Sequence, residues 1–262
     1  MKAKQSSPFR DLVADFQMGR ITRRQFLQSM MILSSGAALA ACAPSAPASS
    51  VATAPTTASR ELTPQPLIYG ASQDIATIDP SDRTDYSINA VMRQMYDRLF
   101  RFEGGWPQPV EPGLAQEWFA SDDAREWTFK ITDKAKFHDG TPLTAEDVAY
   151  SYQRTLRAQK QRASLLLGYL APEGVVAKDN TTVVMTLKTP YGNFDRLLAF
   201  LEQPIVSKKV AMDNDRGGDE GAAYLVDHEA GSGPFTQGNW QIGQVYEMEA
   251  VPDYWQGWPG RS

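Results

Sequence analysis

The chain has 262 residues, with 26 basic and 31 acidic side chains and a formal net charge of −5 at pH 7. Removing the first 41 residues, which hold six basic and two acidic side chains, leaves 20 basic and 29 acidic groups, a net charge of −9. This acidity, with no cluster of Lys and Arg after Arg24, excludes a nucleic-acid-binding surface.

Residues 1–41 have the composition of an export leader. Lys and Arg side chains precede an apolar segment at 26–41, which is interrupted by Gln, Ser and Gly. This segment is shorter than the about 20 apolar residues that a membrane-spanning helix needs, and it fits the apolar region of a signal peptide. Arg23 and Arg24, just before a Phe-Leu pair, resemble the twin-arginine export signal. We therefore expect 1–41 to be a twin-arginine-type lipoprotein signal peptide.

Cys42 is the only cysteine, and the two alanines before it resemble a bacterial lipobox. A free thiol packed in a core is the alternative for Cys42, but such a thiol needs core-forming neighbours. Residues 42–66 are instead rich in Ala, Ser, Thr and Pro, which is typical of a solvated tether. We therefore expect lipid on Cys42 and a protein held at the outer face of the cytoplasmic membrane, in the periplasmic space. Two or more acyl chains would anchor it stably.

The folded part of the chain is expected to begin at residue 67. Residues 67–70 predict a short strand, and Asp79 and Pro80 predict a turn. A helix is predicted next, because apolar side chains recur at helical spacing on one face. These side chains are Ile88, Val91, Met92, Met95, Tyr96 and Leu99.

Large and polar residues alternate at 126–132, which predicts a half-buried strand. The side chains expected on its buried face are Trp127, Phe129 and Ile131. Two further strands are predicted at 182–187, after an Asp-Asn turn, and at 245–251, before a proline. Between them, residues 194–201 carry an apolar stripe at helical spacing.

Residues 137–148 combine a tight turn with the start of a helix. Asp139 and Gly140 supply the turn, because Gly adopts positive φ without strain. Thr144 and Asp147 form a capping pair that places acidic groups in the first helical turn. The polar residues explained in this way, without a catalytic role, are His138, Asp139, Glu146 and Asp147.

Four stretches, in this order and spacing, resemble a known family. It is the peptide-binding group of the family 5 extracellular solute-binding proteins, which serve ATP-binding-cassette (ABC) importers. The stretches are 96–100; 114–118 with 127–129; 137–152; and 231–235 with Trp240 and 253–255. The resemblance covers the chain from residue 67 to its end.

The resemblance implies an α/β, type II periplasmic-binding-protein-like fold, in which two lobes close over a cleft around an extended ligand. Residues 67–99 and 183–262 would form the first lobe, and residues 100–182 an inserted subdomain. Members of the family continue past the positions that match 253–255 into a second lobe. We therefore expect the second lobe to be missing from this chain.

The loop after Pro80 looks like a segment that lines the cleft in members of the family. The ligand-binding candidates that follow from this likeness are Arg83, Thr84, Asp85 and Tyr86. An ordinary polar surface loop is the alternative. Residues 231–233 only superficially look like a phosphate cradle, because the Lys-Ser/Thr pair and the helix of such a motif do not follow. We interpret them as a close-packed crossover beside the cleft.

The leading functional hypothesis is the substrate-binding component of an ABC transporter, which captures extracellular peptides and delivers them to the membrane permease. The expected partners are a peptide or other small solute, the permease subunits, and the membrane through the lipid. The alternatives are another solute, such as a metal chelate or a sugar, and a truncated surface scaffold or sensor without a transport role. Neither a His-x-x-x-His nor a Gly-x-Ser-x-Gly pattern occurs. We therefore assign no catalytic residue, metal or cofactor.

Overall fold

The computed structural model describes residues 66–71, 73–82, 85–101 and 110–258. All of them belong to one compact unit, residues 66–262. The predicted signal peptide with Arg23 and Arg24, the tether with Cys42, and the candidates Arg83 and Thr84 lie outside the described residues.

The described elements are helices and antiparallel strands. They are α1 (Tyr86–Met95), β1 (Phe100–Arg101), β2 (Glu111–Pro112), β3 (Ala115–Ala120), β4 (Glu126–Ile131), α2 (Ala145–Ala158), α3 (Ala163–Leu166), a 3-10 turn (Pro172–Gly174), β5 (Val175–Asp179), β6 (Thr182–Thr186), α4 (Phe194–Leu201), α5 (Lys208–Asp213), β7 (Phe235–Gln241) and β8 (Val245–Ala250). None of the described helices combines the length and apolar character that crossing a membrane requires.

A four-stranded antiparallel sheet, in the order β3-β4-β6-β5, forms the larger hydrophobic cluster together with α2. The prediction for β4 is confirmed, since its residues alternate between buried and more exposed positions along the strand. The buried side chains contributed by the sheet and α2 include Trp127, Phe129, Ile131, Val148, Tyr152, Leu156, Val183 and Met185. We call the larger cluster as a whole, which also includes residues outside these elements, the sheet cluster.

The predicted capping pair sets the start of α2. Thr144 is its extended N-cap residue, and the Asp147 carboxylate accepts the backbone N–H of Thr144 at 2.9 Å. This exchange satisfies donors that the first helical turn leaves without intrahelical partners. The helix ends at Ala158, where the next residue, Gln159, adopts the left-handed conformation with φ of 51°.

A second hydrophobic cluster surrounds α1 and the β7–β8 hairpin. The predicted inner face of α1 is confirmed, and it packs with residues of the 206–230 segment and with partly buried rings of the hairpin. Members of this set, which we call the α1 cluster, include Ile78, Ile88, Met92, Met95, Tyr96, Val206, Leu225 and Ala230. The helix is shorter than the apolar pattern, because the chain is already extended at Tyr96. Leu99 is buried instead in the sheet cluster.

The strand predicted at 67–70 does not form. The side chains of Leu67 and Ile68 are 96% and 89% exposed, and the segment pairs with no strand among the described residues. A four-residue segment gains little from an extended conformation unless a neighbouring strand accepts its hydrogen bonds. The apolar pattern of residues 67–70 therefore does not by itself produce a strand.

The predicted boundary between the inserted subdomain and the first lobe, at 182/183, falls inside β6. This strand pairs with β4 on one side and with β5 on the other. The four-stranded sheet therefore extends across that boundary as far as Thr186, and the division into lobe and subdomain stays a prediction.

Candidate functional site

Asp85 and Tyr86, the described half of the predicted ligand-binding loop, lie at the start of α1. Asp85 is the N-cap residue, and its carboxylate accepts the backbone N–H of Ile88 at 3.0 Å. The Tyr86 ring is 73% exposed. A hydrogen bond to Tyr86, followed by its charge, raises the pKa of the Tyr69 hydroxyl, so the two exposed rings are neighbours. The described part of this loop therefore consists of a helix cap and one exposed tyrosine, Tyr86, which has the exposed Tyr69 of the 67–70 segment as a neighbour.

A buried ion pair holds the segment that leads into this loop. Arg154, on α2, donates to Asp79 through two nitrogens, at 2.6 and 3.0 Å, and to the hydroxyl of Ser81 at 2.7 Å. The side chains of Arg154 and Asp79 are both only 3% exposed. Burial alone would lower the pKa of Arg154, but the hydrogen bond and charge of Asp79 reverse this, so the guanidinium stays charged. The loop therefore starts from a fixed position on α2.

An open cavity of about 870 Å³ lies at the other end of α1, about 15 Å from Asp85 by the length of a ten-residue helix. Its lining includes Arg93, Asp97, Arg98, Arg101, Tyr254 and Trp258. Among the described residues, Asp85 and Tyr86 do not line this cavity and lie at the opposite end of α1 from it.

Asp97 organises one wall of this cavity. Its carboxylate accepts the Tyr254 hydroxyl at 2.7 Å and the indole N–H of Trp255 at 2.8 Å. Burial raises the pKa of Asp97, although these two hydrogen bonds act in the opposite direction. Arg98, which follows it, lies 3.3 Å from Glu202, so its charge is already paired. The charged side chains Asp97 and Arg98 in this wall are therefore both paired with other side chains of the protein.

Residues 231–233 approach the backbone of α1 closely. A Cβ atom built on Gly231 would lie 2.0 Å from the carbonyl oxygen of Met95, and one built on Gly233 would lie 2.5 Å from that of Gln94. The N–H of Gly233 also donates to Met95 O at 2.9 Å. This geometry agrees with the interpretation of the segment as a close-packed crossover.

His138 has a role that the sequence interpretation missed. The turn chemistry is correct for Asp139, whose carboxylate accepts the N–H of Thr141 at 2.9 Å. The predicted turn role is wrong for His138, because its ring makes its hydrogen bonds outside the turn. The Nδ1 atom lies 2.7 Å from the Glu229 carboxylate, and Nε2 lies 3.0 Å from the carbonyl oxygen of Gly233.

Sequence reasoning could not find these long-range pairs from local patterns. Arg154 and Asp79 are 75 positions apart, and His138 and Glu229 are 91 positions apart. The neighbours of Arg154 at helical spacing are Tyr150, Ser151, Arg157 and Ala158. They form no continuous apolar stripe, so the sequence carried no local signal that Arg154 is buried.

Metal ligands and histidine contacts can be checked among the described residues. Among them, no group of three or more His, Cys, Asp or Glu side chains could hold a metal ion. Both histidines are engaged, His138 with Glu229 and His228 with Asp227 at 2.6 Å. Neither histidine ring is hydrogen-bonded to a hydroxyl or thiol group of the described residues.

Most of the folded part of the chain matches a known protein family. Residues 109–260 match the sequence model of the bacterial extracellular solute-binding proteins, family 5 Middle. The chain belongs to this family of solute-binding proteins. It is 36% identical over 195 residues to the "Probable D,D-dipeptide-binding periplasmic protein DdpA" of Escherichia coli, covering 72% of this chain and 36% of that protein. It is 32% identical over 162 residues to the dipeptide-binding protein DppE of Bacillus subtilis, covering 55% and 28%.

Solved structures of solute-binding proteins share the fold. The substrate-binding domain of an oligopeptide ABC transporter from Bacillus anthracis superposes with a TM-score of 0.63 at 22% identity, covering 72% of this chain and 38% of that one. MoaA from A. tumefaciens R10, in complex with mannopinic acid, superposes with a TM-score of 0.61 at 28% identity, covering 71% and 37%. The predicted type II periplasmic-binding-protein-like α/β class is confirmed. The family 5 chain described here spans 36% of the length of DdpA.

Proposed function

We propose that this protein is the substrate-binding component of an ABC importer that captures extracellular peptides and delivers them to the membrane permease. The observation that carries the proposal is its 36% identity over 195 residues to a protein named for binding D,D-dipeptides. The family match over 109–260 and the likeness to an oligopeptide transporter's binding domain support the same function. In this role the protein holds a solute without altering it chemically.

The surface at the start of α1 is suited to that role. We propose that Arg83, Thr84, Asp85 and Tyr86 line the ligand site. Tyr86 and Tyr69 offer adjacent exposed rings, and the Arg154–Asp79 pair fixes the segment that precedes them. Rings with one polar end suit a binding surface, since they contribute contact area and a hydrogen bond together. An extended peptide would add backbone hydrogen bonds of the kind made by an added strand.

The ligand class is tested by thermal unfolding of the purified chain in detergent micelles. The peptide probes are a D,D-dipeptide, an L,L-dipeptide and glutathione. The non-peptide probes are mannopinic acid and Ni(L-His), which are bound in solved structures of similar proteins. A ligand at 100 times its dissociation constant stabilises the folded state by about 2.7 kcal/mol. Upward shifts of the melting temperature with peptides alone support the proposal. Shifts confined to mannopinic acid or the nickel chelate would contradict the peptide class, and no shift with any probe would favour a scaffold or sensor.

The variant Tyr86→Ala is expected to weaken binding of whichever peptide shifts the melting temperature, because it removes an exposed ring from the proposed site. The same titration is repeated on Phe200→Ala, a matched control, since Phe200 is a 62% exposed ring on α4. The control is expected to bind as the parent chain does. Equal affinity of Tyr86→Ala and the parent would remove Tyr86 from the site.

We also propose that residues 1–41 are a twin-arginine-type signal peptide read through Arg23 and Arg24, and that Cys42 carries the lipid that anchors the protein in the periplasm. Residues 42–66 would then be the tether. Intact-mass measurement of the membrane fraction is expected to show loss of 1–41 and a mass gain from acyl chains on Cys42. The variant Cys42→Ser is expected to show no such gain; an unmodified Cys42 in the parent chain would contradict the proposal.

We propose, finally, that residues 67–99 and 183–262 form the first lobe and that residues 100–182 form the inserted subdomain. The two hydrophobic clusters support this division, since the α1 cluster draws mainly on the first set of residues and the sheet cluster mainly on the second.

A further inference from the structure

The ring of His138 lies between two acceptors. Its Nδ1 atom is 2.7 Å from the Glu229 carboxylate, and its Nε2 atom is 3.0 Å from the carbonyl oxygen of Gly233. A neutral imidazole carries one N–H and therefore donates only one hydrogen bond, whereas an imidazolium donates two. If Glu229 is ionised, both contacts are hydrogen bonds only when His138 is protonated.

The Glu229 carboxylate is engaged through both of its oxygens. The hydroxyl of Thr236 lies 2.9 Å from Oε1, and the backbone N–H of Gly231 donates to Oε2. With His138, the carboxylate therefore makes three hydrogen-bond contacts, which fix its position against the ring. The side chains of His138 and Glu229 are 12% and 10% exposed, which shields the pair from solvent and salt.

This pair joins the two hydrophobic clusters. His138 follows Phe137, which is buried in the sheet cluster, and Glu229 precedes Ala230, which is buried in the α1 cluster. The backbone N–H of His138 also donates to the carbonyl oxygen of Gly231 at 2.9 Å. The Arg154–Asp79 pair makes a second buried connection, but an arginine keeps its charge at every physiological pH. Of these two connections, only the one through His138 changes charge near neutral pH.

We propose that His138 is a pH-sensitive latch, which as an imidazolium fastens the turn at 137–141 to the 229–236 crossover and releases it on losing its proton. The latch acts beneath the crossover, so it does not depend on which solute the protein binds. The connection is closed while His138 holds its second proton, and one of its two side-chain hydrogen bonds is lost when the pH rises above the pKa of the ring.

The groups around His138 raise its pKa, as the proposal requires. Burial lowers the pKa of His138, but the hydrogen bond and charge of Glu229, the carbonyl of Gly233 and the charge of Asp97 raise it above its ordinary value of 6.5. Glu229 also faces the hydroxyls of Tyr96 and Tyr246, whose pKa values are raised and which therefore stay neutral. A raised folded-state pKa contributes stability that is complete below pH 6.5 and is lost as the pH rises through the folded value.

The experiment uses the full chain with ¹⁵N-labelled histidine, since the sequence has only two histidines. The variant His228→Gln assigns the remaining signal to His138. At pH 6.5 we expect one-bond N–H correlations from both ring nitrogens of His138. We also expect its titration midpoint to lie above that of N-acetylhistidine methylamide in the same buffer. A single protonated nitrogen at pH 6.5, or a midpoint below that of the reference compound, would overturn the proposal.

Two variants test the connection itself. Glu229→Gln keeps the size of the side chain and removes its charge, so the midpoint of His138 is expected to move down. In urea unfolding, His138→Gln is expected to lose the decline in stability between pH 6.5 and 9 that the latch causes, whereas His228→Gln is expected to keep it. If Glu229→Gln leaves the titration midpoint of His138 unchanged, Glu229 does not stabilise the protonated ring and the proposal is wrong. Should His138→Gln fail to fold, the titration of the parent chain still decides.

Discussion

Replacing Asp79 by alanine is expected to lower the free energy of unfolding by about 3–5 kcal/mol, because it leaves the guanidinium of Arg154 buried without its charged partner. Both side chains are almost completely removed from solvent, and Asp79 accepts two hydrogen bonds from Arg154. The alanine cannot replace these bonds, and water has little access to the space. Urea unfolding followed by tryptophan fluorescence measures the loss.

A matched control removes the carboxylate of an exposed ion pair on the same helix. Glu146 is 67% exposed and pairs with Lys208, so Glu146→Ala is expected to cost at most about 1 kcal/mol. The double variant Asp79→Ala with Arg154→Met is expected to be more stable than Asp79→Ala alone, because no unpaired charge then remains buried. Equal losses for Asp79→Ala and Glu146→Ala would show that solvent reaches the Arg154–Asp79 pair.

The substitution Gly231→Ala is the second change with a large expected effect. Its Cβ would lie 2.0 Å from the carbonyl oxygen of Met95 and 2.9 Å from the carbonyl carbon. Both atoms belong to the backbone at the end of α1, so relief requires the helix or the crossover to move. We expect a loss at or above the upper end of the about 1–3 kcal/mol typical of overpacking, measured by the same urea unfolding.

Gly192→Ala is the control for this effect, since a Cβ at Gly192 meets no atom within 4 Å. Its backbone also lies outside the left-handed region that strains other residues. The control is expected to be neutral or slightly stabilising, because alanine reduces the freedom of the unfolded chain. A Gly231→Ala protein as stable as this control would contradict the close approach between the crossover and α1.

Local signals predicted the elements that depend on neighbours in sequence. The alternation at 126–132 and the Thr144–Asp147 cap both formed as expected, because each depends on residues within one strand or one helical turn. The prediction of a strand at 67–70 was wrong because strand formation depends on residues distant in sequence. The pattern of this segment was apolar, but a strand requires a partner that no local pattern supplies.

The site was less predictable than the fold. Asp85 and Tyr86 were predicted as ligand-binding residues through a family likeness, and the structure shows Asp85 as the N-cap residue of α1. The groups that fix the surrounding segments, Arg154 with Asp79 and His138 with Glu229, are brought together by tertiary folding across many positions. Their charges resemble those of an ordinary solvated surface until the fold removes them from water.

The hydrogen bonds of Asp97 to Tyr254 and Trp255 can form only late in synthesis of the chain. Asp97 and Trp255 are separated by 158 positions, and the ring of Trp255 packs against the sheet cluster. A growing chain cannot close this contact until residue 255 has left the ribosome, and contacts between such distant positions form slowly. Until then, the carboxylate at the end of α1 and the neighbouring aromatic rings would stay open to proteases and chaperones.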